Sequence, residues 1–164
     1  MNVNRSLLYG FMFGLFSLTA CGGGGGSSSA PPATTATIKL STSGTLPQGT
    51  SLAGIGITLN LPTGVTFKTY SGGAVASGYV NVTGGEASPE SAIAVYIPAS
   101  GATPAQLALI VISTTTAGIG TGEFASVTCD LNGTSPKVSD FVVSGFKPYD
   151  LSGNPVTGLT ASVL

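Results

Sequence analysis

The sequence contains no histidine and no tryptophan, and only 7% of its 164 residues are charged. Soluble domains average roughly 25% charged residues. Without imidazole, Ser-His and Cys-His catalysis and every metal site with a histidine ligand are excluded. Five basic residues against six acidic ones give a formal net charge of −1, so the chain lacks the basic surface that nucleic-acid binding needs. Its polarity comes instead from 20 serines and 21 threonines.

The first twenty residues have the layout of a signal peptide. Arg5 supplies one positive charge, and residues 6–20 follow as an uncharged, mostly apolar run of 15 residues. A helix of that length measures about 22 Å, whereas the hydrocarbon core of a membrane is about 30 Å thick. We therefore expect residues 1–20 to be a cleaved signal peptide rather than a permanent membrane span.

The apolar run ends in Leu18-Thr19-Ala20-Cys21. In this context the sequence resembles the lipobox of bacterial lipoproteins. The resemblance implies that cleavage makes Cys21 the N-terminus and that its sulfur is acylated through diacylglycerol. Two acyl chains anchor a protein durably, whereas one binds a membrane only marginally. Because Gly22 rather than Asp follows the cysteine, the resemblance implies a lipid anchor in the cell envelope, at the outer membrane or cell surface of a Gram-negative host.

Residues 21–36 are predicted to be a flexible lipidated tether. They contain five consecutive glycines, three serines and the pair Pro31-Pro32. Gly/Ser-rich sequence behaves as a flexible coil, and proline stiffens it. No strand precedes the glycines and no Gly-Lys-Ser/Thr follows them, so a phosphate-binding loop is excluded. The folded domain is expected to span residues 37–164.

Apolar residues recur with a period of two over much of this domain, as in strands with one buried face. The alternation is regular at residues 37–41 and 55–61. Shorter predicted strands follow at 65–67 and 80–82, and further predicted strands lie at 123–131, 140–146 and 156–164. Residues 92–97 and 107–112 are apolar throughout, which predicts central strands buried on both faces or lying against another element. In 123–131, alternation places Ala125 and Cys129 inside, Glu123 at the start of the apolar face and Phe124 on the polar face.

Seven to nine short β-segments and no convincing helix predict an all-β fold, an antiparallel jelly-roll β-sandwich. Residues 104–109 could form one helical turn at most, capped by Thr103 with Pro104 at the first helical position. At about 128 residues the domain is long enough to bury a core without disulfides.

Five segments of the domain, in this order, resemble a cohesin-type module: Gly54–Phe67, Leu107–Ser113, Gly122–Leu131, Phe141–Val143 and Asp150–Val156. They contain 41 residues, about a third of the domain. The resemblance implies a jelly-roll sandwich, a fold also found in some carbohydrate-binding modules. One departure is Leu61-Pro62, where the family has Tyr-Asp. The matching positions are core and turn residues, so the resemblance transfers no binding residues.

Candidate reactive residues have structural interpretations that fit better. Cys129 alternates with buried positions, which favours a small buried hydrophobe over a reactive thiol. Glu86 and Glu90 lie in a Gly/Pro/Ser-rich stretch and are expected to be solvated rather than paired as in a glycosidase. Ser144 and Lys147 have the Ser-x-x-Lys spacing of penicillin-binding enzymes, but on a strand these side chains point to opposite faces. We therefore predict no enzyme and no catalytic residues.

Two loops and four tyrosines complete the candidates. Asp150, Ser152 and Asn154 have the spacing of calcium ligands, but Pro155 stands where that loop needs glycine, so a hydrogen-bonded turn is favoured. The glycine-rich stretch 118–122 precedes a strand and is read as a flexible connection. Tyrosines that could stack on sugar rings are Tyr70, Tyr79, Tyr96 and Tyr149. Tyr70 and Tyr79 flank a glycine-rich stretch and could lie together on the surface.

The sequence thus predicts an extracytoplasmic lipoprotein anchored at Cys21, whose cohesin-like domain binds a protein partner without catalysis. Alternatives are a carbohydrate-binding module for envelope or environmental polysaccharide and a structural envelope lipoprotein. No cofactor, metal or nucleic-acid partner is expected. Exposed coplanar tyrosines would favour sugar, whereas a flat apolar sheet face with a Ser/Thr rim would favour a protein.

Overall fold

The computed structural model describes residues 33–83, 92–113 and 115–164, and in these ranges the chain is almost entirely extended. We number the strands in chain order. They are β1 Thr35–Gly44, β2 Leu52–Asn60, β3 Val80–Val82, β4 Ala92–Ile97, β5 Gln106–Ile112, β6 Gly122–Asp130, β7 Val142–Asp150 and β8 Leu159–Val163. Two single 3-10 turns, Ser71–Gly73 and Val138–Asp140, are the helical residues of these ranges. The all-β prediction is confirmed.

The strands form two four-stranded sheets in which every pairing is antiparallel. The first sheet has the order β3-β6-β1-β8 and the second β4-β5-β2-β7. Side chains from both sheets join in one hydrophobic cluster, with Leu40 and Val127 from the first and Leu59 and Leu107 from the second. The predicted antiparallel sandwich is therefore confirmed.

The period-two pattern explains how β2 contributes to this core. Ile55, Ile57 and Leu59 are at most 3% exposed, and the residues between them, Gly56 and Thr58, point to the other side of the sheet. Burying one such aliphatic side chain contributes about 1.5–3 kcal/mol. Alternate residues of one strand therefore supply much of the force that holds the two sheets together.

A β-bulge in β6 corrects the prediction for Phe124. Leu40 of β1 lies opposite Ala125, but the next residue, Ser41, lies opposite Glu123. Phe124 is therefore the extra residue of a bulge, which interrupts the alternation of side chains. Phe124 is fully buried instead of lying on the polar face, and Glu123 forms an ion pair with exposed Lys39 instead of beginning the apolar face.

For residues 92–97 and 107–112 the sequence predicts central strands that are buried on both faces or lie against another element. β5 is central, since it lies between β4 and β2, but neither strand is buried on both faces. β4 is an edge strand of the second sheet. Ile93 and Ile97 of β4 and Ile110 and Ile112 of β5 are exposed. The backbone edge of β4 is partly covered by the segment after the first 3-10 turn, where Val75 N donates to Ala94 O at 2.9 Å.

Smaller differences concern segment ends. Val65 and Phe67 are buried, but they belong to no strand, and only an isolated bridge joins Thr66 to Asp130. β1 begins at Thr35, two residues inside the predicted tether. Residues 104–105 lead directly into β5 without the helical turn considered above. β7 extends to Asp150, four residues beyond its predicted end.

In the ranges described, no helix has the length and apolar character needed to cross a membrane.

Candidate binding face

The outward side of the second sheet carries adjoining exposed aliphatic side chains. Ile93 of β4 lies opposite Ile110 of β5, and Val95 lies opposite Ala108. The exposed fraction is 57% for Ile93 and 47% for Ile110. We call this surface the apolar face and define it by the outward residues Ile93, Val95, Ile97, Ala108, Ile110, Ile112, Gly54, Gly56, Thr58, Gly145 and Lys147.

The direction of these side chains follows from strand geometry. Leu107, Leu109 and Val111 of β5 are at most 1% exposed, so the residues between and after them must point away from the core. Single exposed aliphatic residues are ordinary on protein surfaces. A set of neighbouring ones on adjacent strands is instead typical of surfaces that contact proteins, membranes or ligands.

A shallow depression of about 220 Å³ lies within the apolar face. Its lining includes Gly56 of β2 and Gly145 of β7, where backbone takes the place of side chains. Gly56 lies opposite Ile110 on one side and opposite Lys147 on the other. We call this feature the glycine depression. The Ile110 side chain and the Lys147 side chain therefore lie on either side of the exposed backbone of Gly56.

Polar side chains close one end of the apolar face. Gln106 Nε2 donates to Asn60 Oδ1 at 2.9 Å, and Ser144 Oγ donates to the same oxygen at 3.2 Å. Because these amide and hydroxyl groups bond to one another, they form a small polar rim beside the aliphatic rows.

The second sheet is nearly free of ionised side chains. Lys147 is the only basic residue in its four strands and Asp150 the only acidic one. The Asp150 carboxylate is engaged by the turn that follows β7, where it accepts hydrogen bonds from Ser152 N and Asn154 N, both at 2.8 Å. The apolar face therefore carries one exposed cation, Lys147.

The outward side of the first sheet is polar. Thr37 and Thr128 bring their hydroxyl oxygens to 3.0 Å, and Ser43 and Thr160 bring theirs to 2.9 Å. Lys39 Nζ lies 2.7 Å from Glu123 Oε2. The two outer surfaces of the sandwich thus differ in chemistry, since one bears hydroxyls bonded to one another and the other bears exposed isoleucines.

The tyrosines do not form a stacking platform. Tyr79 is half-buried, with its ring edge-on to Phe67 at 6.3 Å between centroids and its hydroxyl donating to Asp130. Burial is the main cause that raises the Tyr79 pKa. The Tyr96 ring lies 5.7 Å from the same Phe67 ring. Tyr70 is 60% exposed, so Tyr70 and Tyr79 are not the pair of exposed rings that the sequence allowed.

The prediction of a buried Cys129 is confirmed. Its side chain is fully buried, and its thiol donates to Ala36 O at 3.5 Å. Burial raises the pKa of this thiol, which disfavours the nucleophilic thiolate.

The turn after β7 has the predicted hydrogen bonds. Hydrogen bonds from the Asn154 backbone, and to a lesser extent from the Asn154 side chain and the Ser152 backbone, hold the Asp150 pKa below its usual value. Asn154 Nδ2 also bonds to the second carboxylate oxygen at 3.2 Å. Within the parts of the chain that the structure describes, no three acidic or cysteine side chains form a group able to hold a metal ion.

Other sequence candidates have mixed outcomes. Ser144 lies at a register shift between β7 and β2, opposite Thr58 and Leu59, so the side chains from Ser144 to Lys147 do not alternate strictly. The Ser144 hydroxyl donates to Thr58 O and Asn60 Oδ1. The stretch 118–122 is not a free connection, because Ile119 is buried and its amide donates to Leu52 O at 2.7 Å. Cys21, Glu86 and Glu90 lie outside the described residues.

Sequence reasoning missed the apolar face, although its signal was present. The uninterrupted apolar runs at 92–97 and 107–112 predict strands that are buried on both faces or lie against another element, but no described element covers their outward side. Together these segments form one exposed surface, which only the sheet order reveals.

No protein-family model, curated protein or solved structure matches this chain. The proposed function therefore rests on the sequence and structure of this chain alone.

Proposed function

We propose that this chain is a lipid-anchored protein of the bacterial cell envelope whose cohesin-like sandwich binds a protein partner, without catalysis, through the apolar face. The observation that carries the proposal is the exposure of adjoining isoleucines, Ile93, Ile97, Ile110 and Ile112, on two neighbouring strands. Such a surface favours a partner that removes it from water.

The chemistry of the apolar face fits protein recognition. Apolar area removed from water contributes about 25 cal/mol per Å², and the centre of a protein interface is depleted in charge while its rim is polar. The isoleucine rows supply such a centre. The bonded Asn60, Gln106 and Ser144 side chains supply a polar rim at one end.

The proposed anchor rests on the sequence at the other end of the tether. The resemblance of Leu18-Thr19-Ala20-Cys21 to a lipobox supports a lipid on Cys21, at the start of a Gly/Ser-rich segment. Thirteen residues lie between Cys21 and the start of β1 at Thr35, and a flexible coil of that length has an end-to-end distance on the order of 20 Å. A sandwich on this tether keeps its sheet faces accessible to partners outside the membrane, at the outer membrane or cell surface.

Binding of polysaccharide is less well supported. Sugar-binding surfaces stack aromatic rings on the faces of sugars, and the apolar face is aliphatic at its centre. Tyr149, 38% exposed and opposite Gly54, is the one tyrosine at its border in the described part of the chain. Retention on polysaccharide is therefore an outcome that would contradict the proposal.

A pair of variants with equal exposure tests the proposal. Ile110 and Val138 are both 47% exposed, but Val138 lies in the second 3-10 turn and is not one of the residues of the apolar face. A photo-crosslinking amino acid at each position in the host cell, followed by mass spectrometry, identifies a partner. The purified partner is then titrated against the wild type, Ile110→Ser and Val138→Ser.

We expect crosslinks from position 110 and not from position 138. Affinity should fall at least about tenfold in Ile110→Ser and change less than about twofold in Val138→Ser, since hot-spot residues lie within the interface. Equal affinity of the two variants would contradict the proposal. Absence of protein crosslinks at both positions would favour the structural role, and retention on polysaccharide alone would favour the sugar-binding alternative.

A further inference from the structure

Neither positive φ nor close packing requires the glycines of the apolar face. Gly54, Gly56 and Gly145 all have ordinary φ values, unlike the turn glycines of the chain. A Cβ atom built at Gly56 would meet its nearest neighbours, atoms of Lys147, at 3.7 and 3.8 Å, which is ordinary contact. Gly54 and Gly145 would likewise meet nothing closer than 3.6 and 3.4 Å.

Glycine in the interior of a strand weakens the strand, because it adds backbone entropy and leaves no side chain to pack. Such a glycine marks either a β-bulge or a place where another backbone or a ligand approaches closely. Gly54 and Gly145 lie beside register shifts between β2 and β7, whereas Gly56 is regularly paired, so close approach of another molecule is the remaining reason for Gly56. Gly56 and Gly145 line the glycine depression together. We infer that Gly56 keeps the depression open for a group supplied by the partner.

The size and lining of the glycine depression define that group. A cavity of roughly 150 Å³ with an aliphatic lining holds a benzene molecule, and the depression has about 220 Å³. Ala108 and Ile110 form its apolar side. One leucine, methionine or phenylalanine side chain fits this volume and chemistry.

Lys147 adds a charge requirement. It borders the glycine depression, and no carboxylate of the described residues pairs with it. Covering an unpaired ammonium group costs free energy unless the partner supplies a counter-charge. A second copy of this chain turned about an axis through the depression would bring two Lys147 side chains together, so a different protein with a carboxylate fits better.

The proposal, which rests on the protein-binding function above, is therefore specific. The partner inserts one bulky apolar side chain into the glycine depression and places an Asp or Glu beside it, within reach of Lys147. The flanking isoleucines contribute affinity, while the depression and Lys147 select the sequence that binds.

A random peptide library can test this sequence preference before the natural partner is known. The full chain is held in phosphatidylcholine nanodiscs, and phage-displayed 12-residue peptides are selected on it after depletion on empty nanodiscs. Enriched peptides are synthesised and titrated against the wild type, Gly56→Val and Lys147→Glu. Gly120→Val and Lys68→Glu are the matched controls, since Gly120 has an ordinary φ and open space around it, and Lys68 lies outside the apolar face.

We expect enriched peptides to combine Asp or Glu with a neighbouring Leu, Met or Phe. Gly56→Val should weaken their binding at least about tenfold by filling the depression, and Gly56→Ala should have a smaller effect in the same direction. Lys147→Glu should weaken binding to a similar degree and should select basic peptides when used as the target. The two controls should stay within about twofold of the wild type.

Other outcomes overturn the inference. Peptides that lose affinity in Ile110→Ser but not in Gly56→Val or Lys147→Glu would leave the protein-binding function standing and refute the role of the glycine depression. Peptides whose affinity is the same for the wild type, Ile110→Ser, Gly56→Val and Lys147→Glu would contradict both the protein-binding function and the role of the glycine depression. The inference would also be refuted if no enriched peptide lost affinity in Gly56→Val. Binding of the apolar face to protein-free phosphatidylcholine would refute the inference as well. Circular-dichroism melts confirm that each variant is folded.

Discussion

Phe124 and Ala125 are adjacent in β6, yet both side chains are fully buried. In regular strand geometry two neighbours point to opposite sides. A register shift between β6 and β1 explains the burial of both side chains. Ala125 lies opposite Leu40 and Glu123 opposite Ser41, so Phe124 is a bulge residue with no partner in β1. The bulge brings a phenylalanine into the core and leaves Glu123 to pair with Lys39 outside.

The burial of Phe124 gives a first prediction about stability. Phe124→Ala should lower the free energy of unfolding by about 3–5 kcal/mol, because it leaves a cavity in the core. Glu123→Ala is the matched control, and it should cost less than about 1 kcal/mol because solvent reaches its ion pair with Lys39, whose side chain is 56% exposed against 30% for Glu123. Urea unfolding followed by circular dichroism measures both. Similar costs for the two changes would contradict the bulge.

How much the sequence predicts depends on whether a feature is local. The alternation of Ile55, Ile57 and Leu59 marks β2 and its buried face correctly, because one strand contains the whole signal. The bulge at Phe124 depends on pairing between β1 and β6, which are distant in sequence. Alternation read along β6 alone therefore assigns Phe124 to the wrong face.

The apolar face could not be predicted for a related reason. Isoleucines at 93 and 110 look the same in a sequence whether a neighbouring element covers them or not. β4 is an edge strand, and no described element covers the outward side of β4 and β5, so these residues are exposed. Hydrophobic pattern predicts which residues alternate, but not whether a third layer covers the second side of a sheet.

Gly118 provides a prediction about backbone conformation. Its φ is +73°, and a Cβ atom there would lie 2.6 Å from Leu52 O. Gly118→Ala should therefore destabilise the fold by about 1–3 kcal/mol. Gly120, two residues later, has an ordinary φ and open space around it, so Gly120→Ala should leave the urea midpoint nearly unchanged. Equal midpoints for both variants would contradict this local geometry.

The Asp150 turn predicts a pH-dependent contribution to stability. The hydrogen bond from the Asn154 backbone lowers the Asp150 pKa from its ordinary value of 3.8. Hydrogen bonds from the Asn154 side chain and the Ser152 backbone lower the pKa further. A carboxyl whose pKa is lower in the folded state stabilises the fold above its unfolded pKa, and this contribution is lost as pH falls through the folded pKa.

We therefore expect Asp150→Ala to lower the Tm at neutral pH by an amount that shrinks as pH falls below 3.8. Asp150→Asn keeps an oxygen acceptor without the charge, so its Tm difference from the wild type should also shrink there. Thermal melts across this pH range measure both differences. A difference that grows on acidification would contradict the hydrogen-bonded carboxylate.

Cys129 should be inert to thiol reagents in the folded chain. Its side chain is fully buried, and burial raises the thiol pKa. Reaction with iodoacetamide should therefore become detectable only at urea concentrations that unfold the protein, with mass spectrometry locating the label on the peptide that contains Cys129. Rapid labelling without urea would show that the sandwich opens locally around β6.

The proposed anchor predicts that the two cysteines differ in their chemistry. Cells fed alkyne-tagged palmitate should label the wild type and Cys129→Val, but not Cys21→Ala. Cys129→Val is the matched control because it removes the only other cysteine and keeps a buried apolar side chain. Since two acyl chains hold a protein on a membrane and one does so only marginally, the N-terminal peptide of the wild type should carry the mass of a diacylglycerol group on sulfur. Label that persists in Cys21→Ala, or an unlabelled wild type, would contradict anchoring at Cys21 while leaving binding by the apolar face untouched.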